Sequence, residues 1–187
     1  MKYSVLAYYA IVPIDDPHAE VAKHKEFFKS RDFTGRIYIS EEGINGQSCG
    51  LESHAKEYQE WLLSDPRFAC VQFKIHPSCE HVFPKMTVKY RKQLVAIDCK
   101  VDFSKRGQPL SPSEWKKMME EKGEETLLLD VRNDYEWKLG HFEGAKLPSL
   151  QQFRQFPEYA KELKERCDPL KTPVMMYCTG GIRCEYY

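Results

Sequence analysis

Two kinds of hydrophobic periodicity alternate along the chain. Residues 3–12, YSVLAYYAIV, are a near-continuous apolar run of strand length and read as a buried strand. The following DPHAEVAKHKEFFKSRD spaces Val21, Phe27 and Phe28 as a loose helical stripe, with Asp16 placed to cap the helix and Pro17 suited to its first turn. GRIYIS and INGQSCG are strand-like runs joined by EEG, whose Gly43 fits a turn. ESHAKEYQEWLLSD is a second amphipathic helix stopped at Pro66, and FACVQFKIHP reads as a further strand. Strand, helix, strand, strand, helix, strand is the split βαβ order of a ferredoxin-like α+β domain, assigned here to residues 1–82.

Residues 83–110 read as a basic strand and a linker. In KMTVKYRKQLVAI, Lys85, Thr87, Lys89 and Arg91 fall at period two on one face, opposite Met86, Val88 and Tyr90. Two readings of that basic face stand at this point: a solvated edge strand kept from aggregating by its charge, or a ridge that contacts nucleic-acid phosphates. FSKRGQPLSPSE is linker-like.

Residues 111–187 change pattern. SPSEWKKMMEEKG predicts a helix capped by Ser111 or Ser113 and ended by Gly123, and ETLLLDVR predicts a short buried strand. NDYEWKLGHFEGAKLP predicts a turn, a short helix and a short strand. SLQQFRQFPEYAKELKERCD is helical with a break near Pro157, and TPVMMYC is a second fully apolar strand. Helices alternating with continuous apolar strands imply a parallel α/β sheet.

Charge and cysteines then narrow the chemistry. With 28 basic and 28 acidic residues no global field favours nucleic acid or membrane, so any nucleic-acid surface must be local. No apolar run approaches the roughly 18 residues of a membrane helix, and the first residues do not resemble a signal peptide, so a cytoplasmic protein without membrane attachment is expected. The seven cysteines never form C-x-x-C, which argues against both a disulfide framework and a structural zinc site; no metal is expected.

One cysteine stands apart. Cys178 ends an apolar strand, where open parallel sheets place their ligands, and Thr179, Gly180, Gly181, Ile182 and Arg183 follow it. Paired glycines let successive N–H groups converge as an anion nest, and a nearby guanidinium lowers a thiol's pKa toward the reactive thiolate. Four residues between Cys and Arg, one fewer than in a cysteine-phosphatase loop, favour a small sulfur-bound species such as a persulfide on Cys178.

These residues also carry a resemblance. LLLDVRNDYEWKLGHFEGA is similar to the rhodanese signature, and YCTGGIRC to its active-site loop. Together with GRIYISEEGINGQ and FPKMTVKYRK, in that order, they resemble the rhodanese-domain family of oxygen-dependent tRNA uridine hydroxylases, which make 5-hydroxyuridine at the wobble position. The resemblance implies a rhodanese-like C-terminal domain, tRNA as partner, molecular oxygen as co-substrate and Cys178 as the essential cysteine. It also implies Thr179 to Arg183 as the active-site loop and an Asp130–Arg132 motif that supports either the loop or the domain. His141 matches the signature histidine and reads as structural. Cys184 is either a resolving thiol or a packing residue; Glu42, Asn45 and Gln47 are polar groups of an ordinary turn or of a nucleotide contact. Lys85, Lys89 and Arg91 gain weight as tRNA contacts. No flavin, dinucleotide or metal-ligand fingerprint is present, so no bound cofactor is evident, and no protein partner is identified.

The family pattern would continue past the Cys loop with a helix, a strand and a C-terminal region, so the rhodanese-like domain is read as incomplete. Beside hydroxylation, two alternatives stay open: a sulfurtransferase working through a cysteine persulfide, and a non-catalytic tRNA-binding module.

Overall fold

The computed structural model describes residues 2–122, 125–168 and 171–186. The chain divides into two compact units, Met1–Leu94 and Val95–Tyr187.

In the first unit, β1 (Tyr3–Ile11), α1 (Pro17–Phe28), β2 (Phe33–Ser40), β3 (Gly43–Leu51), α2 (Glu52–Leu63), β4 (Lys74–Ser78) and β5 (Met86–Tyr90) follow one another. They build one sheet in the order β4-β1-β3-β2-β5, and its first four strands have the ferredoxin-like arrangement. β1 pairs antiparallel with β3 and β4, β2 pairs antiparallel with β3, and β5 runs parallel to β2. Asp16 caps α1 by accepting from the Ala19 N–H at 2.9 Å, with Pro17 in the first turn. Leu6, Tyr8, Ile37, Ile39 and Ile44 from the strands pack with Val21, Phe28, Ala55, Tyr58 and Leu62 from the helices. The hydroxyls of Tyr8 and Tyr58 hydrogen-bond each other inside that core, so neither is buried without a partner.

Two local expectations change. Of FACVQFKIHP only Lys74–Ser78 is strand; Pro66–Phe68 is a 3₁₀ turn, and Phe68 and Val71 enter the core from a loop. An apolar run shows burial without fixing the backbone, and Asp65 caps the turn by accepting from the Arg67 N–H. The basic strand set apart at residues 83–110 supplies β5, the fifth strand of this sheet: alternation marks a strand but not its neighbour, and a parallel partner requires a long crossover.

Gly43 begins β3 with φ of +141°, and a Cβ there would stand 2.0 Å from the Ala10 carbonyl oxygen. Gly43→Ala is therefore expected to cost at least about 2 kcal/mol, read by denaturant unfolding. An unchanged midpoint would show that the β1–β3 register relaxes around the extra carbon.

In the second unit, α3 (Pro112–Lys122), β6 (Leu127–Asp130), α4 (Asp134–Trp137), α5 (Phe156–Arg166) and β7 (Val174–Tyr177) are the regular elements. β6 and β7 pair in parallel, Leu127 opposite Val174 through Asp130 opposite Tyr177, and Lys146 makes a parallel bridge to Leu129. Ser111 accepts from the Glu114 N–H while the Glu114 carboxylate accepts from the Ser111 N–H, a reciprocal cap for α3. Gly123, expected to end that helix, lies outside the described residues. Pro157 falls in the first turn of α5, preceded by a 3₁₀ turn at Phe153–Gln155, so the expected break is the start of the helix. Leu128, Leu129, Val131, Phe153, Phe156, Met175 and Ile182 are buried.

Candidate active site

β7 delivers Cys178 at its carboxyl end, as continuous apolar strands in a parallel sheet do. The loop after it turns at Gly181, whose φ of +93° favours glycine, whereas a Cβ on Gly180 would meet nothing within 4 Å. Of the paired glycines, only Gly181 has a backbone conformation that demands one. Its N–H donates to the Cys178 sulfur at 3.0 Å, and its carbonyl accepts from the Cys184 N–H at 3.0 Å. Buried Ile182 and Tyr186 then anchor the 3₁₀ turn Ile182–Tyr186 that closes the loop, with Tyr186 edge-on to Phe103.

The Cys178 thiol is held well below its ordinary pKa. A hydrogen bond from Cys184 has the largest effect, burial opposes it, and the Arg183 charge with the backbone N–H groups of Cys184 and Arg183 add to it. The Cys184 thiol is pushed up in turn, by that same hydrogen bond, by burial and by the negative Cys178. Within the pair the negative charge is favoured on Cys178 and disfavoured on Cys184.

Arg183 is fixed by a residue that the sequence reading did not single out. Its guanidinium donates through both terminal nitrogens to the two carboxylate oxygens of Glu136, each at 2.6 Å. Glu136 also accepts from the Thr179 hydroxyl at 2.7 Å and from the Asn133 N–H at 3.0 Å. Burial would raise the Glu136 carboxyl, but the Arg183 and Thr179 bonds and the Arg183 charge outweigh it and bring it down to about 2. Glu136 thus joins α4 to both ends of the Cys loop. Its only sequence signal is the Asn133-x-x-Glu136 spacing, which marks a helix start; of that cap's two side-chain bonds the Glu136 carboxylate makes its own, from the Asn133 N–H, while the Glu136 N–H donates to the Asn133 backbone carbonyl and the Asn133 side-chain oxygen is left without a partner.

Asp130 and Arg132 form a second bidentate pair, at 2.9 and 2.6 Å, around a fully buried carboxylate. Burial would raise Asp130, yet the bonds from Arg132 and Tyr177 hold it below the usual carboxylate range. Arg132 also donates to the Gly140 carbonyl at 2.6 Å and lies over the Tyr177 ring. The Tyr177 hydroxyl accepts from the Phe142 N–H at 3.1 Å. The motif therefore ties the Gly140 turn to the residue before Cys178, while the loop itself is gathered by Glu136. His141 is exposed and hydrogen-bonds the Trp137 carbonyl. Beside these residues Trp115, Phe142 and Tyr177 make an aromatic cluster, of which Trp115 and Phe142 line an open groove of about 390 Å³.

The basic residues belong to the first unit. β5 pairs with one strand of its sheet, β2, and exposes Lys89, with exposed Lys85 and Arg91 just before and just after it. The Arg91 guanidinium stacks over Tyr38 at 4.9 Å, and exposed Arg36 lies across from Thr87. Burial would raise the Tyr38 hydroxyl, but Arg91 and Arg36 lower it. Arg36 and Tyr38 enlarge the basic face and were legible only as the polar positions of GRIYIS. Glu42 accepts from the Leu94 N–H, and Asn45 and Gln47 sit in the ladder opposite Tyr9 and Ala7. Among the described residues no three His, Cys, Asp or Glu side chains converge to hold a metal, and no helix is long and apolar enough to cross a membrane.

Residues 3–94 match the UPF0176 acylphosphatase-like domain and residues 111–187 the rhodanese-like domain. Proteins named tRNA uridine(34) hydroxylase from Chlamydia pneumoniae, Chlamydia trachomatis serovar D and Protochlamydia amoebophila are each 56% identical over 186 residues, 100% of this chain. The chain spans 56–58% of the length of those relatives. A dark-state BLUF-protein structure shares 22% identity over 52% of this chain and 79% of its own, with a TM-score of 0.43, too low to carry an inference. The chain is thus similar to the UPF0176 acylphosphatase-like domain in its first unit and to the rhodanese-like domain in its second, and it is similar along its length to proteins named tRNA uridine(34) hydroxylase.

Proposed function

We propose that the protein takes part in oxygen-dependent hydroxylation of the wobble uridine of tRNA to 5-hydroxyuridine, with Cys178 as the indispensable sulfur. The relatives' name supports hydroxylation of uridine 34; oxygen dependence and the 5-hydroxy product follow from the motif resemblance. The observation that carries the assignment to this chain is the Cys178 loop: a sulfur that accepts from the Gly181 N–H, beside an Arg183 that Glu136 locks in place, with its pKa lowered by the Cys184 thiol and the Arg183 charge. Molecular oxygen is the co-substrate, tRNA is the partner, and the cytoplasm is where both meet. Thr179 and Glu136 position the loop, and Asp130 and Arg132 support the strand end behind it.

The rhodanese-like match favours one other reading, sulfur transfer. Cys178 would attack a sulfane donor, hold the outer sulfur as a persulfide within the nest, and pass it to an acceptor. Nucleoside mass spectrometry of tRNA from a deletion strain complemented with the full gene separates the two. Return of 5-hydroxyuridine supports hydroxylation; return of a thiolated nucleoside in its place supports sulfur transfer and overturns it.

The basic face of Lys85, Lys89, Arg91 and Arg36 around Tyr38 is the proposed RNA contact, since it offers phosphate-binding charge beside an aromatic ring. Neutralising Lys85, Lys89 and Arg91 to Gln is expected to flatten the dependence of log affinity for tRNA on log salt by about two to three, close to one released counterion per residue. An unchanged slope would leave this strand a charged, solvated sheet edge.

A further inference from the structure

We infer that Cys184 is the resolving thiol of Cys178: after a hydroperoxide oxidises Cys178, the two cysteines close into a disulfide within the loop, which silences the site until a dithiol reopens it. The inference rests on the reading of Cys178 as the reactive thiol and deepens it by adding regulation.

The geometry comes first. Gly181 lies between the two cysteines and is bonded to each, its N–H to the Cys178 sulfur and its carbonyl to the Cys184 N–H, both at 3.0 Å. The chain is thereby folded back over Cys178, which brings Cys184 close enough for its thiol to lower the Cys178 pKa. Both cysteines are half-buried, so neither sulfur is sealed from solvent. The loop between them contains the left-handed Gly181, a point of backbone freedom for drawing the sulfurs together.

Electrostatics then set the order of events. While Cys178 is anionic, its charge and the shared hydrogen bond keep Cys184 protonated and unreactive. In the first step the Cys178 thiolate attacks a hydroperoxide; the O–O bond breaks, sulfur gives up two electrons, and alkoxide or hydroxide leaves to yield a neutral sulfenic acid. The charge that suppressed Cys184 is now gone, whereas Arg183, clamped by Glu136, remains and favours ionisation of Cys184. In the second step the Cys184 thiolate attacks the Cys178 sulfur, the S–S bond forms, and the S–O bond breaks. Hydroxide leaves and takes up the proton that Cys184 lost, giving water. A dithiol returns both cysteines to thiols. Oxidation of the sulfur thus switches on its own resolving partner, and Cys178 is spared further, irreversible oxidation.

The test is peptide mass mapping of the protein after equimolar hydrogen peroxide at neutral pH and alkylation of the remaining thiols. The expected product has lost two hydrogens and links the tryptic peptide ending at Arg183 to the one starting at Cys184, and dithiothreitol reverses it. In Cys184→Ser and Cys184→Ala, a dimedone-trappable sulfenic acid and then a sulfinic acid should accumulate at Cys178. Mapping of the unaltered protein is decisive even where a variant folds poorly. A Cys178 that reacts with peroxide but goes to sulfinic acid, or links to another cysteine, overturns this inference alone. A Cys178 inert to peroxide overturns it together with the reading of that residue as the reactive thiol.

Discussion

Arg183→Met should lower the rate at which Cys178 is alkylated at pH 7 severalfold, and should destabilise the second unit by about 3 kcal/mol. The kinetic part follows from charge. Arg183 is the cation beside the sulfur, and although the Cys184 hydrogen bond has the larger effect, loss of that charge moves the thiol up toward a free cysteine's pKa of about 8.5, at which only about 3% is ionised at pH 7. The stability part follows from burial: the Arg183 and Glu136 side chains are only 15% and 17% exposed, so removing one leaves the other charged, shielded from water and unpaired. Glu136→Gln separates the two effects. It breaks the same bidentate pair and should cost comparable stability, but it removes a negative charge near the thiolate and leaves Arg183 in the chain. Alkylation should then fall much less than in Arg183→Met. Equal losses of alkylation in both variants would mean that geometry alone, and not the cation, keeps the sulfur ionised.

The pH behaviour follows the same logic. The Cys178 pKa is depressed in the folded protein, so its ionisation stabilises the fold above the free-thiol value, and that contribution is lost as pH falls through the depressed one. For Glu136 the contribution is complete above the ordinary glutamate value of 4.5 and fades as pH falls from there toward about 2. Acid should therefore open the loop from the Glu136 side only at strongly acidic pH.

Much of this architecture was legible because burial writes itself into local spacing. The strand and helix order of the first unit follows from YSVLAYYAIV, the Asp16-Pro17 helix start and the alternating runs around Gly43. The nest was legible from Cys178, Gly181 and Arg183 because all three lie within one turn of chain. Glu136 was not, because its partners Thr179 and Arg183 are 43 and 47 residues away and no local pattern encodes an ion pair across that distance. The same limit hid the pairing of β5 with β2 and the contribution of Arg36 and Tyr38 to the basic face. FACVQ failed for a different reason: an apolar run of strand length is also what a loop looks like when Phe68 and Val71 plug a core.

The account turns on whether the sulfur of Cys178 is required for the base modification. Replacing it by an oxygen keeps the side chain's size and the loop's glycine turn, but a hydroxyl with an alcohol's pKa is not ionised by the same nest. The most direct measurement is the 5-hydroxyuridine content of tRNA in a deletion strain carrying the full gene with Cys178→Ser, beside the same strain carrying the unaltered gene. The account predicts 5-hydroxyuridine at the level of the deletion strain for Cys178→Ser; a level equal to that of the unaltered gene would contradict it.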